Sequence, residues 1–317
     1  MKQWIAGGIM LLVLGMYGTV FAGGRKESKV PPSGAVSKPK TQAVSENVFT
    51  YTVGDYEVSL LVENRSQGNP SILIGADEEM LKKYLPNGTY ATEVNTFLIR
   101  TPELNILVDT GFGATLFQNM QTLGVKPEEV DAVLLTHMHG DHIGGLQRDG
   151  KPLFPGAAVY LSEQEKAYWI DTDPATVPEQ QQRSFISARA ALEPYGESVV
   201  VFTPGTTGAS SGELFPGITA IAAFGHTPGH TAYMVNSGGE RLLIWGDLVH
   251  AMEIQIPVPD VSISFDTDPV MAAASRKAIL EYVSANRIPV AGMHLVYPAI
   301  GTIAAVSEGS YQFTPAE

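Results

Sequence analysis

The sequence contains no cysteine among its 317 residues. Disulfide bonds, thiolate metal ligands and cysteine nucleophiles are therefore excluded, as is attachment of a lipid to an N-terminal cysteine. The absence does not decide the compartment, because secreted proteins can also lack cysteine.

Basic residues are scarce as well, since 20 Lys and Arg stand against 33 Asp and Glu, a formal net charge of −13. Binding of a phosphate backbone needs clustered Lys and Arg. The charge therefore argues against nucleic acid as a partner, and we expect a small-molecule substrate that is largely neutral. Hydrophobic residues make up 44% of the chain, which is enough for a sizeable core.

The N-terminus carries a long apolar run. Lys2 precedes an apolar stretch that ends in Val20-Phe21-Ala22. Small residues at the last and third-last positions are typical of a signal-peptidase site, so residues 1–22 are predicted to be a signal peptide of a periplasmic or secreted protein. The alternative is an uncleaved segment that tethers the chain to a membrane.

The remainder of the chain divides into a linker and one domain. Residues 23–46 are rich in Lys, Pro, Ser and Gly without apolar periodicity, which predicts a disordered linker. Residues 47–317 are predicted to form one folded domain of the mixed α/β (α+β) class with layered sheets. Strands are predicted at 49–53, 56–62, 92–100, 105–108, 132–135, 198–202, 218–224, 232–235, 241–245 and 289–292, and helices at 114–123, 163–170, 180–192 and 269–285.

The strongest local signal is the string H-x-H-x-D-H, formed by His137, His139, Asp141 and His142 directly after an apolar strand. Two His residues two positions apart in extended chain project the same way. The Asp-His pair lies where a turn begins a helix, so it can face back across the same space. Imidazole and carboxylate without thiolate suit zinc, manganese or iron, and this many ligands indicate two metal ions.

Three more candidate ligands lie far along the chain, each in a loop at the end of a predicted strand. His230 lies in a Pro-Gly turn between strands, Asp247 follows the strand that ends at Trp245, and His294 follows a short strand that ends at Gly292. Loops at strand ends are where sites are usually built, so we expect these residues to meet the H-x-H-x-D-H loop.

Taken together, H-x-H-x-D-H followed by His, Asp and His resembles the metallo-β-lactamase superfamily over about residues 48–305. The string Val108-Asp109-Thr110-Gly111 and the turn from His226 to His230 are similar to it as well. The resemblance implies a four-layer αβ/βα sandwich with the metals at one edge of two sheets. It also implies the ligands: His137, His139 and His230 for the first ion, Asp141, His142 and His294 for the second, and Asp247 as the bridge.

Shorter strings around Asp247 and His294 look closest to the methyl parathion hydrolase-like and lactonase branch. That branch implies cleavage of a small neutral ester, lactone or phosphotriester by a metal-bridging hydroxide. Asp141 would then orient the hydroxide or carry a proton. The expected cofactors are two divalent ions, most simply zinc, with manganese or iron as alternatives.

Other residues receive supporting roles. Asp109 is expected to support a metal-binding His from behind, or else to cap a turn. His226 is expected either to contact a ligand or to stabilise its turn. Apolar side chains and one imidazole are candidates for a substrate wall: Phe112, Trp169, Phe185, Leu248 and His250, the last of which could also be purely structural.

Two other functions stay open. Related scaffolds can bind a single iron, which would make the protein a metal-dependent dioxygenase. A non-catalytic metal-binding protein of the cell envelope is the second alternative. The complete second ligand set disfavours the dioxygenase, and Asp247 disfavours the non-catalytic protein.

Overall fold

A computed structural model describes residues 41–209 and 211–316. The predicted signal peptide and most of the predicted linker lie outside these residues. The strands are β1 (Thr41–Ser45), β2 (Val48–Val53), β3 (Tyr56–Gly68), β4 (Leu73–Ile74), β5 (Tyr90–Arg100), β6 (Asn105–Val108), β7 (Ala132–Leu134), β8 (Gln147–Arg148), β9 (Lys151–Pro152), β10 (Ala158–Ser162), β11 (Val199–Phe202), β12 (Glu213–Phe215), β13 (Ile218–Ala222), β14 (Thr231–Ser237), β15 (Glu240–Ile244), β16 (Ser262–Ile263), β17 (Val290–Ala291), β18 (Ile300–Ser307) and β19 (Ser310–Pro315).

The helices are α1 (Glu78–Tyr84), α2 (Leu116–Thr122), α3 (Gly140–Ile143), α4 (Glu163–Glu165), α5 (Glu179–Leu192), α6 (Met252–Gln255) and α7 (Pro269–Asn286). The predicted helix 163–170 is α4 followed by a π-helical turn, Lys166–Asp171. Within the described part of the chain, no helix is long and apolar enough to cross a membrane.

The predicted linker extends too far, because its last residues form β1. This strand pairs antiparallel with β2, with Thr41 opposite Tyr51. Backbone hydrogen bonds to a neighbouring strand do not require an apolar pattern, so composition alone did not reveal the strand. The described fold therefore begins at residue 41 rather than at 47.

Two large mixed sheets form the centre of the fold. The first has the order β1-β2-β3-β5-β6-β7-β10-β11, and the second has the order β12-β13-β14-β15-β17-β18-β19. Neighbouring residues of β5 face opposite sides of the first sheet, as strand geometry requires. Phe97 and Ile99 join a core that also contains residues of the second sheet, whereas Leu98 joins a core with α2 and α5.

Helices cover the outer faces of both sheets. Leu116 of α2 and Phe185 of α5 pack on the first sheet, and Ile279 and Val283 of α7 pack on the second. The layers are thus helix, sheet, sheet and helix, which confirms the predicted four-layer αβ/βα sandwich. Strands β6 and β7 run parallel, as do β15 and β17, so their carboxyl ends bring the loops that follow them to one edge.

Candidate metal centre

The loop after β7 presents the H-x-H-x-D-H residues in a fixed geometry. Asp109, at the end of β6, accepts a hydrogen bond from the Thr136 amide at 2.8 Å and lies 2.7 Å from His142 Nδ1. The His142 carbonyl in turn accepts a hydrogen bond from the Thr110 amide at 2.7 Å. Donation from Nδ1 to Asp109 leaves Nε2 of His142 free to act as a ligand, so the structure places Asp109 where the sequence predicted.

The first cluster has four candidate ligand atoms: His137 Nε2, His139 Nδ1, His226 Nε2 and Asp247 Oδ2. His139 Nδ1 lies 3.0 Å from both His137 Nε2 and His226 Nε2. Asp247 Oδ2 lies 3.6 Å from His137 Nε2 and 3.3 Å from His226 Nε2. A tetrahedral zinc ion with ligands at about 2.05 Å has ligand–ligand separations of about 3.3 Å, so these spacings fit one ion.

The two His residues of the 226–230 turn have exchanged the roles that the sequence analysis gave them. His230 Nδ1 donates to the Ala223 carbonyl at 2.9 Å, and its Nε2 accepts the Asp247 amide at 2.9 Å. Both ring nitrogens of His230 are therefore engaged with the backbone, and its prediction as a metal ligand is wrong. His226, predicted only as a supporting residue, occupies the ligand position.

The position of each residue relative to the strands explains this exchange. His226 follows the carboxyl end of β13, as His137 follows β7 and Asp247 follows β15, whereas His230 directly precedes β14. The rule that ligands follow the carboxyl ends of strands therefore holds here. In this turn it selects His226, which follows a strand, rather than His230, which precedes one.

The second cluster contains Asp141, His142 and His294. His142 Nε2 is 3.2 Å from Asp247 Oδ1 and 3.8 Å from Asp141 Oδ2. His294 Nε2 is 3.6 Å from Asp141 Oδ2 and 3.0 Å from Asp247 Oδ2. These residues lie together as the sequence predicted, with Asp247 between the two clusters.

Strand β5 orients His294 although it supplies no ligand. His294 Nδ1 donates to the Glu93 carbonyl at 2.7 Å, which turns Nε2 towards Asp247. The Asn95 side-chain amide donates to the Leu295 carbonyl at 2.8 Å and thereby holds the loop that carries His294.

Burial and neighbouring charges together set the pKa values of the cluster. It lowers the pKa of His139 to about 3, so this imidazole is neutral and its lone pair is available at neutral pH. Burial alone would raise the pKa of Asp247, but the imidazoles of His142 and His294 outweigh it and hold that pKa well below its usual value. Burial would likewise lower the pKa of His226, but the carboxylates of Asp247 and Asp266 outweigh it and raise that pKa to about 9, so a divalent ion bound there must displace a proton from this ring.

The predicted substrate wall is corrected in most of its members. Phe185 is 1% exposed and packs on Trp169 in a hydrophobic core, and Leu248 is buried in the other core. Trp169 is also buried, and it packs at nearly a right angle against the His139 ring with ring centroids 5.6 Å apart. Because substrate-lining side chains need an open face, the predictions for Trp169, Phe185 and Leu248 are wrong. Phe112 is 51% exposed on the loop after β6.

His250 lies inside the cluster rather than on a pocket wall. Its Nε2 is 3.0 Å from Asp247 Oδ2, and its ring stacks on His294 with centroids 4.6 Å apart. All seven His residues of the chain, namely His137, His139, His142, His226, His230, His250 and His294, thus lie at this centre.

Sequence reasoning missed Glu165, a buried carboxylate at the end of α4. Its two oxygens accept the amides of Met138, at 3.1 Å, and Gly229, at 3.0 Å. One side chain therefore joins the loop of His137 and His139 to the loop of His226. No local pattern in the sequence marks this residue, because its partners are backbone groups distant in the chain.

The family model of the Metallo-beta-lactamase superfamily matches residues 89–286. Two solved structures share the fold over nearly their whole length. The hydrolase AbOPH of the beta lactamase superfamily is 29% identical with a TM-score of 0.77, covering 86% of this chain and 98% of that one. AidC, a dizinc quorum-quenching lactonase solved with the product N-hexanoyl-L-homoserine, is 25% identical with a TM-score of 0.77, covering 89% and 98%.

Matches to curated proteins are shorter. Ribonuclease TTHA0252 of Thermus thermophilus is 33% identical over 167 residues, which are 49% of this chain and 35% of that protein. The chain spans between about a quarter and a half of the length of the curated relatives that it matches. Because a ribonuclease is among them, the comparisons do not support the prediction from net charge that nucleic acid is excluded.

Proposed function

This chain belongs to the metallo-β-lactamase superfamily, and we propose that it is a metal-dependent hydrolase whose active site holds two divalent ions side by side. The observation that carries the proposal is that Asp247 belongs to the first ligand cluster while its Oδ1 lies 3.2 Å from His142 Nε2 of the second. His137, His139 and His226 would bind the first ion, and Asp141, His142 and His294 the second. Asp247 would bridge the two ions.

The donor atoms fit this assignment. His142 Nε2 and Asp247 Oδ1 are buried and lie 3.2 Å apart, yet neither has a hydrogen-bond partner. A buried polar atom without a partner is costly, and two such atoms that face each other are expected when a cation lies between them. Imidazole and carboxylate donors without thiolate suit zinc, and AidC is described as a dizinc enzyme.

Two divalent ions, when bound, would lower the pKa of a water and polarise the oxygen of an ester, lactone or phosphoryl group. Other groups of the chain orient the ligands. Asp109 and the Glu93 carbonyl fix the rings of His142 and His294. The side chain of Asp141 is 25% exposed, so its carboxylate reaches solvent and would be accessible to a water molecule or a substrate.

We propose a small, largely neutral ester, lactone or phosphotriester as the substrate. AidC, which shares the fold, binds the product of a lactone. The net charge of −13 disfavours a polyanion by long-range repulsion, although local metal charge offsets part of it. Export through the N-terminal segment stays a prediction, which fractionation of the producing cells would test.

The test is a turnover screen of the full chain loaded with zinc. The substrates are an acyl-homoserine lactone, an aryl carboxyl ester, an aryl phosphotriester and a short RNA. We expect hydrolysis of at least one neutral substrate, with a loss of at least 100-fold in kcat/KM for Asp247→Asn. Asp149→Asn, at an exposed loop position, is the matched control. Turnover of RNA alone would overturn the proposed substrate class.

A further inference from the structure

A second carboxylate stands directly behind the first ligand cluster. Asp266 Oδ1 lies 2.8 Å from His226 Nδ1, and the Asp266 side chain is 1% exposed. Its other oxygen accepts the Ile263 amide at 3.0 Å. Donation from His226 Nδ1 to Asp266 fixes the ring so that Nε2 faces the cluster.

Two backbone hydrogen bonds next to that contact join the loop that carries Asp266 to the turn that carries His226. The Thr267 amide donates to the His226 carbonyl at 2.9 Å, and the Asp268 amide donates to the Gly225 carbonyl at 2.9 Å. These backbone bonds hold the two loops side by side next to the Asp266–His226 contact.

The buried guanidinium of Arg276 also contacts the loop that carries Asp266. Arg276 of α7 is 1% exposed, and its Nη2 lies 3.9 Å from Asp266 Oδ2. Its Nε donates to the carbonyl of Leu248, the residue after Asp247, at 2.8 Å. Its Nη1 donates to the carbonyls of Pro259, at 2.7 Å, and Val261, at 2.8 Å. One side chain thus contacts both the Asp266 loop and the loop of the bridging carboxylate.

We propose that Asp266 is a positioning residue for the first metal ion, acting through His226 and held in place by Arg276. Each cluster then has its own supporting carboxylate, Asp109 behind His142 and Asp266 behind His226. The inference rests on the proposed two-metal function and adds a prediction that the function alone does not make. Loss of the Asp266 carboxylate should weaken the binding of one metal ion and leave the binding of the other unchanged.

The experiment is a chelator competition that measures the affinity of the full chain for each of two zinc ions. Removal of a residue that orients a metal-bound His typically lowers metal affinity 10- to 100-fold. We expect Asp266→Asn to lower the affinity for one zinc ion by about that factor and the affinity for the other by less than threefold. Asp260→Asn, an exposed carboxylate that pairs with Lys277 of α7, is the matched control and should change neither.

A double-mutant cycle separates positioning from a general loss of structure. If Asp266 acts through His226, Asp266→Asn should change affinity less than twofold in a His226→Ala background but keep its full effect in a His142→Ala background. Equal weakening of both ions by Asp266→Asn, or a full effect in the absence of His226, would overturn the proposal. An unmutated chain that binds no zinc would instead contradict the two-metal function itself.

Discussion

The buried carboxylate of Glu165 makes the stability of this protein depend on pH in an unusual direction. Burial raises its pKa from the ordinary value of 4.5 to about 7, although the amides of Met138 and Gly229 oppose the shift. A carboxyl group with a raised pKa in the folded state binds more protons folded than unfolded. Its contribution is therefore fully present below pH 4.5 and is lost as the pH rises to about 7.

The size of the effect follows from the shift. Each pH unit between the two pKa values is worth about 1.4 kcal/mol, so the folded state loses about 3 kcal/mol across this interval. Glu165→Gln keeps the shape of the side chain and removes the titration. We expect the free energy of unfolding of the unmutated protein to fall by about 3 kcal/mol relative to the variant between pH 4 and pH 8.

Urea unfolding in chelator-containing buffer, followed by the fluorescence of the buried Trp169 and Trp245, measures this difference. Because both proteins carry the same His residues, the titration of these residues cancels in the comparison. Glu163→Gln, an exposed position on the same helix, should show no such trend. A difference that stays constant with pH, or that grows in favour of the unmutated protein, would refute the reasoning.

Three further substitutions test other contacts. Gly246→Ala, at φ +59°, would place Cβ 2.4 Å from His230 Nε2. Gly124→Ala, at φ +72°, is the control, because nothing lies within 4 Å of its Cβ. Thermal unfolding should show a larger loss of stability for Gly246→Ala than for Gly124→Ala. Asn95→Ala leaves the Leu295 carbonyl without its donor and should cost about 1–3 kcal/mol in urea unfolding. Phe112→Ala should leave stability within about 0.5 kcal/mol and raise KM for an aromatic ester if this exposed ring contacts substrate.

Short-range sequence patterns predicted the strands and helices that are determined by neighbouring residues. Strand β6 has the predicted bounds, and α7 begins at Pro269 because the Asp268 side chain accepts the amides of Val270 and Met271. The hairpin of β18 and β19 was not predicted. Its strands have few buried residues, and their pairing depends on β17, which is close only in the folded protein.

The site was predictable to the extent that ligands follow strand ends. The H-x-H-x-D-H loop, Asp247 and His294 meet as expected because the parallel strands that precede them end at one edge. Spacing within a turn does not say which ring faces inward, so His226 and His230 were exchanged. Glu165 and Asp266 act on groups distant in the chain, and the burial of Phe185 comes from tertiary packing, so none of these could be read locally.

The number of metal ions per chain tests the central claim most directly. The full chain is saturated with zinc, dialysed and measured by mass spectrometry for metal and protein, with Asp247→Asn beside Asp149→Asn. The account predicts two ions per chain in the unmutated protein and the control, and the loss of at least one in Asp247→Asn. A single ion that survives Asp247→Asn would contradict the shared bridge, and one iron per chain before zinc is added, with consumption of oxygen, would point instead to a dioxygenase.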